Sequence, residues 1–136
     1  MLEHVTPEQA WEALQSNPDA HLVDVRTDAE WIFVGLPDLA ACGKQTLLVQ
    51  WQVYPTMQLN PRFAADLTAA GLTPAHHIFF ICRSGARSAS AAIAAQEAGM
   101  AQVYNVADGF EGPMDAEGHR GALAGWKASG LPWRQR

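Results

Sequence analysis

The run Ile78-Phe79-Phe80-Ile81 narrows what this chain can fold into more than any other segment, because it is apolar with no polar alternation. A strand with one face in water alternates in character. One without alternation is covered on both faces, as the middle strands of a parallel sheet are. The next segment is equally constraining: Cys82-Arg83-Ser84-Gly85-Ala86-Arg87-Ser88 leads into an alanine-rich stretch from Ala89 to Ala98 that Gly99 can stop. The chain therefore passes from a buried strand through a short polar loop into a helix. Seven alanines between Ala86 and Ala98 let that helix lie close against the sheet.

The rest of the chain reads as alternating helices and strands. Thr6-Pro7-Glu8-Gln9 starts a helix, with Thr6 as N-cap, Pro7 at the first helical position and Gln9 placed to complete a capping box; Ala10, Trp11 and Leu14 then share a face. His21 to Val25 reads as a short buried strand, Thr27 to Val34 as a short helix or turn, and Thr46 to Trp51 as another strand. Asn60 is placed to cap a helix with Pro61 at its first position, running to about Ala70 and stopped by Gly71. Gln102 to Val106 supplies a further strand, and Ala122 to Ser129 a last helix before Gly130. The result is an open α/β sheet, in which sites lie beyond the C-terminal edge of the strands. Cys82 stands at such an edge.

Composition bounds the function. The 136 residues suit one domain spanning 1–136, with no internal repeat or linker. A formal charge of −5 excludes a nucleic-acid partner, which needs a basic face. No apolar stretch is long enough to cross a bilayer and the first residues do not start a signal peptide, so no membrane partner and a cytoplasmic location are expected. The two cysteines, Cys42 and Cys82, are expected as thiols rather than a disulfide. The histidines show no pair at helical ligand spacing and the thiols are not clustered, so neither a metal nor a cofactor is expected.

A thiol at a strand-to-helix junction is where a thiolate nucleophile can be made, because unpaired N–H groups and the helix dipole favour the ionised form. Arg83 and Arg87 add local positive charge, and Gly85 lets the loop turn so that consecutive N–H groups form an anion-binding nest. A cysteine that merely fills core would not account for two arginines, two serines and a glycine in the next six positions. Cys42, in Ala40-Ala41-Cys42-Gly43-Lys44, has no such surroundings and reads as a bystander.

This loop resembles the active-site loop of the rhodanese family of sulfurtransferases. Leu22-Val23-Asp24-Val25-Arg26 with Glu30-Trp31 is similar to that family's early Asp-x-Arg-x-x-x-Glu signature. Asn105-Val106-x-x-Gly109-Phe110 and Gly125-Trp126-x-x-x-Gly130-Leu131-Pro132-Trp133 resemble its C-terminal pattern. Two departures stand out. The family's Gly-His-Ile-Pro-Gly-Ala turn is here Val34-Gly35-Leu36-Pro37-Asp38-Leu39, without the histidine, and residues 111–124 form an expected insertion near the mouth of the site.

The resemblance implies five strands, mostly parallel, with helices on both faces, and Cys82 as the catalytic residue. Cys82 would take the outer sulfur of a small anionic donor such as thiosulfate or a polysulfide as a persulfide and hand it to a thiol, cyanide or a protein thiol. Arg83, Ser84, Gly85, Ala86, Arg87 and Ser88 would form the substrate loop, and Asp24, Arg26 and Glu30 a structural signature. Arg83, next to the nucleophile, is the expected substrate contact. Arg87 has two roles open to it, substrate binding or holding the loop through a carboxylate such as Asp24. Ser84 and Ser88 can bond the sulfur or donor, though Ser88 is also placed to cap the Ala89 helix. His119 and Arg120 either belong to a solvated loop or border the mouth and select acceptors.

Three other readings compete. A cysteine phosphatase or arsenate reductase places arginine six positions after its cysteine to clamp an oxyanion; here that position is Ser88, and Arg87 arrives one residue early. A non-enzymatic interaction or sulfur-carrier module of the same fold would serve one protein partner. A redox couple would need Cys42 and Cys82 within disulfide reach.

Overall fold

The apolar run at 78–81 forms the middle of a five-stranded parallel sheet. The computed structural model describes residues 2–135. In chain order the elements are β1 (Glu3–Val5), α1 (Pro7–Ser16), β2 (Ala20–Asp24), α2 (Asp28–Phe33), β3 (Leu36–Pro37), a 3-10 turn (Ala40–Cys42), β4 (Leu47–Leu48), β5 (Gln52–Val53) and β6 (Gln58–Leu59). They continue with α3 (Phe63–Ala69), β7 (His77–Ile81), α4 (Ala86–Glu97), β8 (Gln102–Val106) and β9 (Trp133–Arg134). The main sheet runs β1-β8-β7-β2-β4 with every neighbouring pair parallel. The short pairs β3–β9 and β5–β6 are antiparallel and lie outside it.

The period of two along β7 divides the core. Ile78, Phe80 and Cys82 pack with Phe63 and Leu67 of α3 and Ala91, Ala92 and Ala95 of α4. Phe79 and Ile81 pack instead with Ala10 and Leu14 of α1, Phe110 and Trp126. Helices thus cover both faces, which is why β7 needs no polar alternation. Each fully buried Ile or Phe contributes about 1.5–3 kcal/mol, so the strand that ends at Cys82 is firmly anchored. The alanines of α4 act as expected, with Ala91, Ala92 and Ala95 fully buried against the sheet.

Local signals held where they depended on neighbours in sequence. Thr6 caps α1 in the expected capping box with Gln9; a second box, Thr27 with Glu30 at α2, had not been expected from the sequence. Four expectations need correction. The strand expected at 46–51 pairs only through Leu47 and Leu48; beyond them Val49 and Trp51 still donate to the carbonyls of Asp24 and Val25 before the chain turns into β5. Asn60 does not cap α3, which begins at Phe63 after Arg62; its Oδ1 accepts from Arg62 N in a turn, and its amide ties Gln50 O to Asp66. Helix α4 starts at Ala86 rather than Ala89, so Ser88 lies inside its first turn and is not its cap. Residues 122–129 form turns and bends, because Trp126 and Lys127 donate to the carbonyls of Gly109 and Phe110 instead of to a helical ladder. No described helix is long and apolar enough to cross a membrane.

Candidate active site

Three parallel strands end side by side where the site is built. Asp24 closes β2, Ile81 closes β7 and Val106 closes β8, with Asp24 in register with Ile81. Cys82 follows Ile81 directly, and Gly85, at φ +109°, turns the chain into α4. The loop is clamped from behind: Phe110 N donates to Cys82 O at 2.8 Å, and Glu111 N and Gly112 N donate to Arg83 O at 2.9 and 3.1 Å. Gly109 is required for this clamp, since a Cβ there would stand 2.4 Å from Cys82 O. With its carbonyls held backwards, the loop keeps its donors free. Among the described residues the N–H groups of Arg83, Ser84, Ala86, Arg87 and Ser88 have no acceptor, the orphan donors that a helix start carries.

One backbone donor and one hydroxyl stand at the sulfur. Gly85 N–H donates to Cys82 Sγ at 3.1 Å, and the Ser88 hydroxyl lies 3.2 Å from it. Ser88 Oγ also lies 2.5 Å from Asn105 Oδ1, and Asn105 Nδ2 lies 3.0 Å from His4 Nδ1 on the edge strand. Cys82, Ser88 and Asn105 are all buried. Neither Asn105 nor His4 stood out as a site residue in the sequence. The available signal was a polar residue at an inward position of a buried strand, which needs a partner.

Arg87 holds the loop, and its partner is Glu30 rather than Asp24. Its guanidinium makes a bidentate pair with Glu30 at 2.7 and 2.9 Å. Burial pushes the Glu30 carboxyl up, but the hydrogen bonds and charge of Arg87, the Thr27 N–H and the charge of Arg26 outweigh it and hold Glu30 below its ordinary value. Arg87 is raised by its bond to Glu30 against the opposing effect of burial, with the charges of Glu30, Cys82 and Asp24 adding to the rise. The same Glu30 completes the capping box of α2, so this carboxylate joins that helix start to the cysteine loop.

Asp24 pairs with Arg26 instead. The pair is fully buried at 2.7 Å, Arg26 Nη2 also donates to Gly35 O at 2.7 Å, and the guanidinium lies 4.4 Å from the centre of the Phe110 ring. Asp24 and Arg26 therefore brace the strand end and the turn at Gly35. Removing one partner from such a pair costs about 3–5 kcal/mol.

A cleft of about 1000 Å³ opens over the loop, with Arg83, Arg87 and Glu30 along it. Cys82, 1% exposed, lies beneath the wall rather than on it. Phe33 and Tyr54 supply apolar surface from α2 and from the turn between β5 and β6, and Met114, His119 and Arg120 line the cleft from the 111–124 segment. His119 and Arg120 thus border the mouth, with Arg120 held to Gly112 O. Arg83 and Ser84 are exposed, and Arg83 has no carboxylate partner among the described residues. Cys42 packs against the cluster on the other face of the sheet from Cys82, so a disulfide between them would have to cross the sheet.

This site can be compared with known proteins. A family model described as "Rhodanese-like domain" matches residues 6–115. The chain belongs to the rhodanese-like domain family. It is 37% identical over 134 residues to the RP600 homolog of Rickettsia rickettsii, an uncharacterized protein, with 98% of each chain covered. Its fold superposes on the crystal structure of Rv0390 from M. tuberculosis with a TM-score of 0.89, at 51% identity and 98% coverage of both chains. A polysulfide-sulfur transferase homodimer from Wolinella succinogenes matches at a TM-score of 0.66 and 25% identity, over 99% of this chain and 80% of that one. This rhodanese-like chain has the five-stranded sheet, with Asp24, Arg26 and Glu30 bonded beneath and beside its cysteine loop.

Proposed function

We propose that this protein is a sulfurtransferase that carries sulfane sulfur on Cys82. The thiolate attacks the outer sulfur of thiosulfate or a polysulfide; the bond between the donor's sulfurs breaks, sulfite or a shorter polysulfide leaves with the electron pair, and Cys82 becomes a persulfide. A second thiolate, or cyanide, then attacks the outer sulfur and frees Cys82 as thiolate. This double displacement is covalent catalysis. The free N–H groups of the loop stand ready for the negative charge of the outer sulfur, as preorganised dipoles. The likeness to a polysulfide-sulfur transferase supports a polysulfide as donor.

The observation that carries this reading is the arrangement of Arg87 and Ser88. Oxyanion chemistry on a cysteine loop needs an arginine free to clamp the transferred group, at the sixth position after the cysteine. Here that position is Ser88, whose hydroxyl lies 3.2 Å from the sulfur, and Arg87 has both terminal nitrogens on Glu30. That leaves Arg83 as the unpaired guanidinium for an anionic donor.

The exposed apolar side chains at the cleft favour a second reading, a sulfur carrier for one protein. Phe33 is 77% exposed, and Tyr54 and Met114 are each 57% exposed. Intact mass after thiosulfate or polysulfide tests both. Gain of one sulfur atom, absent in Cys82→Ala and removed by cyanide or a small thiol, is the expected result. Gain that no small acceptor removes would favour the carrier, and no gain with either donor would sink both.

A further inference from the structure

The Ser88 hydroxyl has one proton and three neighbours that accept: Asn105 Oδ1 at 2.5 Å, Cys82 Sγ at 3.2 Å and Gly85 O at 3.3 Å. It cannot satisfy all three. With the Asn105 amide turned so that Oδ1 faces Ser88, the short contact takes the proton, and the Ser88 lone pairs face the sulfur. That arrangement suits a neutral S–H, which donates to Ser88 Oγ, and opposes negative charge on the sulfur. At its other end Asn105 Nδ2 donates to His4 Nδ1, which must then lack a proton.

Turning the amide over reverses every bond in the line. Nδ2 donates to Ser88 Oγ, the Ser88 O–H swings to Sγ, and Oδ1 faces His4, whose Nδ1 must now carry hydrogen. In this arrangement Cys82 has released its proton to water. His4 has moved its own ring proton from Nε2 to Nδ1, exchanging through solvent because it is exposed on β1.

We infer that Asn105 and His4 are positioning residues: they set which way the Ser88 hydroxyl points, and so whether Cys82 meets a donor or a lone pair. This rests on the reading of Cys82 as the working nucleophile and adds a means by which a surface histidine, 101 residues from Asn105 in sequence, governs a buried sulfur. The fold makes it possible by pairing β1 with β8, which puts His4 in register with Asn105.

The test is titration of Cys82 by the ultraviolet absorbance of its thiolate, each variant read against its Cys82→Ala counterpart. It involves no sulfur donor, so its outcome is independent of whether persulfide forms. His4→Asp places an acceptor-only group at the site of Nδ1 and locks the amide in the arrangement that opposes thiolate; His4→Asn can present either polarity. We expect about tenfold less thiolate at a given pH in His4→Asp, the effect of losing one hydrogen bond to a charged group, and recovery to within about twofold in His4→Asn.

A carboxylate also acts through space, and other charges surround the line. Arg87 stands near both Cys82 and Asp24, and Glu3 and His77 share a hollow with His4. Ser88→Ala leaves all of these in place and cuts the line. In that background His4→Asp should keep only its through-space effect, well below the tenfold loss expected in the parent. An equal His4→Asp effect with and without Ser88, or no difference between His4→Asp and His4→Asn, would overturn the inference.

Discussion

The two cysteines of this chain show how little of a thiol's chemistry belongs to the residue. Cys42 ends a 3-10 turn, is partly exposed, and packs beside Leu14 and His21 with no donor on its sulfur among the described residues. Burial pushes its thiol up, against the opposing charge of Lys44. Cys82 is more deeply buried, yet its sulfur receives the Gly85 N–H and faces a serine hydroxyl, in a loop whose Cys82 and Arg83 carbonyls are turned away. The difference lies in the backbone. One cysteine follows a strand of a parallel sheet and precedes a helix, whereas the other sits in a turn whose groups are bonded to each other.

The comparison breaks most sharply through the cysteines themselves. Sulfur uptake by intact mass should be lost in Cys82→Ala and stay within about twofold of the parent in Cys42→Ser, since only the first sulfur has donors to hold a persulfide. Uptake that falls in Cys42→Ser as far as in Cys82→Ala would mean that the two thiols work together across the sheet.

The next effect separates the glycines that accompany each cysteine. Gly109, at φ +62°, backs the Cys82 loop, and an alanine Cβ would meet Cys82 O at 2.4 Å and Arg83 O at 2.7 Å. Gly43, at φ +70°, comes directly after Cys42 and has nothing within 4 Å of such a Cβ. Gly109→Ala should therefore cost about 2–4 kcal/mol in denaturant unfolding and displace the loop, with at least about tenfold loss of sulfur uptake. Gly43→Ala carries backbone strain alone, about 1 kcal/mol, and uptake should persist. Equal costs at the two positions would mean that the clamp does not hold the loop.

The same contrast explains what could be read from the residues alone. The cysteine loop was legible because its strand, turn and helix are contiguous, and the unbroken apolar run of β7 and the capping box at Thr6 are equally local. The partners of the loop were not. Glu30 lies 57 residues from Arg87, and nothing in their spacing prefers it to Asp24; the choice is made in the fold, where Arg26 already engages Asp24. Ser88 looked like a cap because the alanines begin after it, but Gly85 turns the chain early and places the hydroxyl under the sulfur. The helix expected at 122–129 lost to bonds with Gly109 and Phe110, which no local pattern reports.

The smallest expected effect concerns the ion pair that has no counterpart at Cys42. Glu30 is held below its ordinary value of 4.5 in the folded chain, so the folded state binds its proton less readily than the unfolded one. Its contribution is fully present above 4.5 and is lost as pH falls through the lowered folded value. Glu30→Gln keeps the shape and removes both the charge and the titration. At neutral pH it should cost about 1.5–3 kcal/mol, the range for a hydrogen bond to a charged group. In acid the gap between variant and parent should close, because the parent's carboxyl then takes up its own proton. Denaturant unfolding of the two proteins across that range measures the gap. A gap that stays constant into acid would place the cost in packing, and the Arg87–Glu30 pair would then hold the loop by shape and not by charge.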